Sequence, residues 1–323
     1  MVKLFFGNRS FSLLILPIIL VGYLLCNYYS NFYTQDVTSN FGMWGNIKLS
    51  NHLGYQAGSA TLIFISSLLL NTIFNRNEFM ERNSYLIPLL YITAMSFFHF
   101  FYFLEGLSIA QTFLVITVYQ LFKLNQNEDG RRIVFNAAFF FGLACTFYPV
   151  LFIGVPFLFW MVWVMRPFIF RESALIVAGF IVPLLYSGAY SFIFKTRLDR
   201  TAFSSSSSQY DWINIIVVSL GLSLLIGFSL KGLFSKIATS SIRMKKIFRL
   251  LLLLISLCLI AILIDYFAFH KLDAGAIIMI CLVFIIPYGF GQKSLNKIPT
   301  VIYYLILFYS VSKFFIPYGA ITF

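Results

Sequence analysis

The chain has 323 residues, of which 60% are hydrophobic, 20% aromatic and only 11% charged, with a mean hydropathy of +0.88. Soluble domains are about half apolar and about a quarter charged, so this composition excludes a soluble globular protein. The net charge of +12 would suit a nucleic-acid partner in a soluble chain. Here the cations sit in short loops between apolar runs, where they direct membrane topology, and no nucleic-acid partner is expected.

The expectation is an all-α, polytopic transmembrane helical bundle in one integral membrane domain, 1–323, with about 11 spans (9–12). A window of about 19 residues places them at 11–29, 57–75, 85–104, 107–123, 133–149, 150–165, 173–194, 212–230, 249–268, 274–290 and 298–318. The runs are continuous rather than alternating, which selects helices over an outer-membrane barrel. The first span ends in "GYLLC", where leucine replaces the small residue that a lipoprotein signal needs before Cys26. It therefore reads as uncleaved. With the N-terminus in the cytoplasm, only Lys48, Lys195, Arg197, Arg200, Lys271 and Lys313 fall outside. The other 17 of the 23 Lys and Arg then lie inside, the bias expected of a bacterial inner-membrane protein.

Two outer segments are long enough to hold chemistry. The first, about 30–56, is polar and aromatic, with Asp36, Trp44, Lys48 and His52 among Tyr33, Phe41 and Tyr55. Span three follows, with His99 in its outer half and Glu105 at its outer end. Six residues apart, they do not stack on one helix face, so no direct pair is expected within that helix. Spans six and seven are joined inside by "RPFIFRES". Here Pro167 biases Arg166 away from helix, Glu172 suits the first turn of span seven, and Arg166 and Arg171 hold the turn in the cytoplasm. This turn is also a candidate for docking a partner. The second outer segment, 195–212, carries Arg197, Asp199, Arg200 and five consecutive serines. The basic run 231–249 reads as a short interfacial helix. Asp265 closes span nine near His270 and Lys271, and Lys313, one turn from the end of the last span, is expected to snorkel outward.

No Gly-rich phosphate loop, H-E-x-x-H, G-x-S-x-G or Cys/His metal spacing occurs, and the four cysteines lie singly in apolar runs. They read as small core residues. Mid-membrane carboxylates, a filter-like loop and internal repeats are absent too, which ranks a lipid or solute transporter or flippase last. What remains is an outer surface suited to a polyprenyl-phosphate sugar. Asp36 and Glu105 are the candidate catalytic carboxylates; His52, His99, Arg197, Arg200, Trp44 and Asp265 are candidates for substrate binding. A carboxylate would act as base on an acceptor hydroxyl while arginines hold the phosphate. No metal ligand set is assigned, and no cofactor is expected unless glycosyl transfer brings a divalent metal.

The stretch from Leu104 to Phe194 resembles a family of multi-pass inner-membrane proteins of Bacteroidota. The likeness rests on "N-x-x-x-x-x-G" before "FYPVLF", on "RPF-x-x-RE", and on the Gly and Pro of the next span; "NTIFNRNEFMERNSYLIPLLY" (71–91) is similar to that family's second loop. A second resemblance is to membrane glycosyltransferases of the C superfamily, in which a stretch like "FFFGLACTFYPVLF" follows a basic cytoplasmic loop. This resemblance implies an enzyme of cell-envelope biogenesis with a catalytic aspartate in the first outer loop, the position of Asp36. The sequence departs from that pattern in having neither a paired Asp-Asp or Glu-Asp in its outer segments nor outer domains. The competing expectation is a non-catalytic subunit of an envelope secretion, lipoprotein or motility complex, with other envelope membrane proteins as partners.

Overall fold

A computed structural model describes residues 2–7, 11–30, 38–48, 52–124, 130–194, 212–269, 272–291 and 296–315. The described chain is helical apart from one small hairpin. Its helices are α1 (Val2–Phe5), α2 (Phe11–Ser30), α3 (His52–Arg76), α4 (Leu86–Met95), α5 (Gly106–Lys123), α6 (Arg131–Phe147) and α7 (Val155–Met165). They continue as α8 (Phe170–Phe194), α9 (Trp212–Thr239), α10 (Ile242–Phe269), α11 (Gly275–Ile285), α12 (Pro287–Phe290) and α13 (Lys297–Ser312). Between α2 and α3, strands β1 (Thr38–Asn40) and β2 (Asn46–Lys48) pair antiparallel, with Ser39 opposite Ile47.

Among the described residues five stretches, within α2, α3, α8, α9 and α10, are long and apolar enough to cross a membrane. The chain is an all-α membrane protein, and its setting is a lipid bilayer. At about 1.5 Å per residue, the 28 residues each of α9 and α10 exceed the roughly 30 Å of a hydrocarbon core. Their length is enough to cross it with turns to spare or at a tilt. The basic run expected to form a separate interfacial helix is instead divided between the end of α9 and the start of α10. Continuing an existing backbone ladder into headgroups avoids a new helix nucleus.

Burial sorts the helices into layers. All ten residues of α4 are buried, as are nine of the eleven in α11; helices apolar all round belong inside a bundle. Only 22% of the most apolar stretch of α8 and 28% of that of α2 are buried. Exposed Leu14, Ile18, Leu185 and Phe192 therefore contact acyl chains. Helices α6 and α8 approach closely through glycine: a Cβ on Gly179 would lie 2.6 Å from Phe135 O, and one on Gly142 2.9 Å from Phe180 O. Small residues at such crossings let backbones meet where no hydrophobic drive separates protein from lipid.

The contacts between helix ends sort into two sets, as alternating helix directions require. At the hairpin end, Trp44 Nε1 donates to Thr146 Oγ1 at 3.3 Å and Ser59 Oγ to Phe100 O at 2.6 Å. At the other end, Tyr85 N donates to Phe5 O (2.9 Å), Arg243 Nη2 to Asn77 Oδ1 (3.1 Å) and Tyr288 OH to Phe79 O (2.9 Å).

Candidate functional site

The predicted third span is not one helix. It stops at Met95, and Phe98 is extended (φ −108°, ψ 144°). A 3-10 turn covers His99–Phe101, and Glu105 is extended again (φ −130°, ψ 166°) immediately before α5. Breaking a helix inside a bundle frees carbonyls that lipid cannot satisfy, so protein donors must reach them. They do: Phe100 O accepts from Ser59 Oγ (2.6 Å) and Ser108 Oγ (3.1 Å), and Phe101 O from Ser59 Oγ (3.0 Å). Ser96 O accepts from Tyr102 OH at 2.7 Å and from the ammonium of Lys313.

The break brings together what helical spacing separates. His99 Nδ1 and Glu105 Oε1 lie 2.9 Å apart, with side chains 14% and 8% exposed. The expectation of no direct pair is overturned because it assumed a continuous helix. Two extended residues bracket the intervening turn and fold Glu105 back over His99, whose ring packs against Phe103 at 5.1 Å.

The hairpin sits on the start of α5. Gly106, next to Glu105, has Phe147 O, Asn40 O and Phe41 Cα where a side chain would begin, at 2.6, 2.9 and 3.1 Å. Gly42, with φ +65°, faces Thr146 O and Phe147 O equally closely. Trp44 stacks on Phe147 (5.8 Å) and tilts against Tyr190 (5.0 Å). Trp44 thus pins the hairpin to α6 and α8, and the hairpin in turn abuts the turn that carries Glu105.

Lys313 does not snorkel. It is 2% exposed, points inward to Ser96 O, and has the rings of Phe97, Phe314 and Tyr102 at 4.8, 4.9 and 5.7 Å from Nζ. A buried carbonyl freed at the helix break and three aromatic faces outcompete outward extension. Nearby, Tyr23 OH and Ser310 Oγ share a hydrogen bond of 2.6 Å. Asp265, also 2% exposed, accepts the backbone N–H of Ala274 at 3.0 Å, next to the start of α11. There a carboxylate meets an unsatisfied helix N-terminus.

The remaining candidates fall elsewhere. Asp36, Arg197 and Arg200 lie outside the described residues, and His52 is described only as the first residue of α3. At the opposite end of the bundle, Arg166 is extended before Pro167 (φ −135°, ψ 150°) and pairs with buried Glu172 at 3.2 Å, while Pro167 and Arg171 are exposed. Sequence reasoning missed Ser59, Ser96, Tyr102 and Ser108. The available signal was the density of polar and aromatic groups in 96–108, too many for a plain span.

These features define a helical membrane protein with ionisable side chains gathered at a helix break under a small hairpin. Comparison of the chain with family models, curated proteins and solved structures finds no match. Among the described residues no three His, Cys, Asp or Glu side chains converge.

Proposed function

We propose that the protein is an enzyme of the bacterial inner membrane, with its N-terminus in the cytoplasm and about eleven crossings. In this reading it transfers a glycosyl group from a polyprenyl-phosphate donor at the periplasmic face. The carrying observation is the 2.9 Å His99–Glu105 pair beside a helix break. A buried ionisable pair in a membrane protein is costly to desolvate and is a candidate working site, and irregular backbone is kept there only where protein covers it or a cavity adjoins it. The loop-charge bias and the resemblance of 104–194 to multi-pass inner-membrane proteins of Bacteroidota support the location.

Glu105 accepts the Nδ1–H of neutral His99, which confines the basic lone pair to Nε2. The imidazole then takes the proton of an acceptor hydroxyl as that oxygen bonds the anomeric carbon. The bond from that carbon to phosphate breaks, and polyprenyl phosphate leaves with the electron pair. Glu105 stabilises the imidazolium that forms, the division of roles seen wherever a carboxylate orients a catalytic histidine.

The test replaces His99 by Gln and Glu105 by Gln in the native host, with lipid-linked intermediates read by mass spectrometry. Loss of general-base catalysis is worth about 10²–10⁴-fold, so the donor should accumulate and envelope glycan fall. Wild-type glycan levels in variants that retain the wild-type melting temperature would sink the catalytic reading. A stoichiometric partner recovered with such variants in mild detergent would replace it with a subunit role.

A further inference from the structure

The far end of the bundle gathers cations around one turn. Arg166 lies across Gly130, so that a Cβ there would meet its guanidinium and lie 3.2 Å from Glu172 Oε1. On the other side of the turn, Lys246 Nζ donates to Met165 O at 3.2 Å. The starts of α6, α8 and α10 and the end of α7 therefore meet at residues 165–172. Segments 130–132, 165–173 and 242–249 carry eight Lys and Arg and one carboxylate, Glu172. Adding Glu128 and Asp129, which precede Gly130 in sequence, leaves eight cations against three carboxylates. Glu172 is buried and paired with Arg166, whereas Arg131, Arg132, Arg171, Lys245 and Arg249 are exposed.

The same turn exposes apolar rings. Phe168 is 62% exposed, Phe170 77% and Trp163 46%, with Trp163 edge-on to Phe168 at 5.4 Å. They continue the exposed flank of α7 at Trp160, a surface that a bilayer covers with acyl chains.

We propose that this turn seats the headgroup of an anionic phospholipid. Guanidinium groups hold the phosphate through charge-assisted hydrogen bonds, and the rings of Trp163, Phe168 and Phe170 lie along the chains at headgroup depth. One lipid molecule meets both halves of the surface, the cationic and the apolar, from within the leaflet. An acidic soluble protein would meet the cations and leave the rings without a partner. This site lies at the opposite end from His99 and stands independently of the reading given to that pair.

The experiment uses the purified full chain in phosphatidylcholine nanodiscs with a minor fraction of brominated lipid, either phosphatidylglycerol or phosphatidylcholine. Bromine quenches a neighbouring indole, and the emission lost on Trp163→Phe isolates the reporter. Brominated phosphatidylglycerol should quench it more strongly than the same fraction of brominated phosphatidylcholine. That preference should fall by up to about fivefold for each arginine removed in Arg131→Gln, Arg132→Gln and Arg171→Gln. It should also weaken with salt in the unaltered protein, which needs no variant to fold. Equal quenching by the two lipids overturns the proposal, as does a preference untouched by both salt and the substitutions. Equal quenching by the two lipids, together with a change of Trp163 emission on adding poly-glutamate that the arginine substitutions abolish, would assign the surface to an acidic protein instead.

Discussion

Gly42 and Gly106 are where single atoms decide whether the hairpin can lie on the bundle. At Gly42 the backbone is left-handed (φ +65°), and two carbonyls occupy the place of a Cβ; at Gly106 the obstructing atoms are again backbone. Backbone cannot step aside as a flexible side chain can, and overpacking of this kind costs about 1–3 kcal/mol. Gly106→Ala should lower the melting temperature in detergent and loosen the hairpin, read as faster hydrogen exchange at Asn40–Asn46; an unchanged melt and exchange pattern would contradict the contact. Lys313 poses the opposite case, a buried charge whose removal need not weaken the fold. Its desolvation offsets its bonds, and Ser96 O keeps Tyr102 OH. Lys313→Met, similar in volume, is expected to melt within about 1 kcal/mol of wild type, whereas Lys313→Ala leaves a cavity costing about 2–5 kcal/mol. If both variants lost the same large amount, the ammonium itself would be the stabilising group.

At the scale of elements, the break between α4 and α5 is held by side chains far away in sequence. Ser59, on α3, serves both Phe100 O and Phe101 O, while Phe100 O has a second donor in Ser108. Ser59→Ala therefore strips Phe101 O of that donor, and a buried acceptor left without its bond costs about 1–3 kcal/mol. Ser108→Ala leaves Phe100 O on Ser59. The first substitution should lower the melting temperature clearly more than the second; equal effects would mean that the carbonyls have other donors. The same break marks where sequence reading stopped. Hydropathy located most of the helices, and its division at 149/150 falls close to the change of element at Tyr148 between α6 and the 3-10 turn that leads into α7, because apolar length is a local property. The His99–Glu105 pair was hidden because a periodicity argument presumes the helix it is applied to. Ser59 and Phe101 are 42 residues apart, and nothing local announces that a serine on one helix is needed by a carbonyl on another. Lys313 was misplaced for a similar reason: snorkelling presumes a lipid-facing side chain, and Lys313 is buried with its ammonium on Ser96 O, just past the end of α4.

For the whole molecule, the question is which end meets which compartment, and the native thiols make it testable without removing them. Cys145, Cys258 and Cys281 are buried and Cys26 is half-buried within α2. A membrane-impermeant maleimide reacts only with a thiol that water reaches, so it should leave the unaltered protein unlabelled in intact cells and in inverted vesicles alike. Asn46, in β2, and Arg171, at the start of α8, are both exposed and sit at opposite ends of the bundle. Asn46→Cys should label from the periplasm in spheroplasts and not in inverted vesicles, and Arg171→Cys the reverse. The physical basis is the loop-charge bias: cations near span ends stay on the cytoplasmic side during insertion, and the Arg166 end carries Arg131, Arg132, Arg166, Arg171, Lys245, Lys246 and Arg249. The hairpin itself, 38–48, carries Lys48 alone. Labelling of both cysteines from one side would break the alternation of helix directions. Labelling of each from the side opposite to that expected would invert the protein, move His99 and Glu105 to the cytoplasmic face, and remove the periplasmic donor from the proposed reaction.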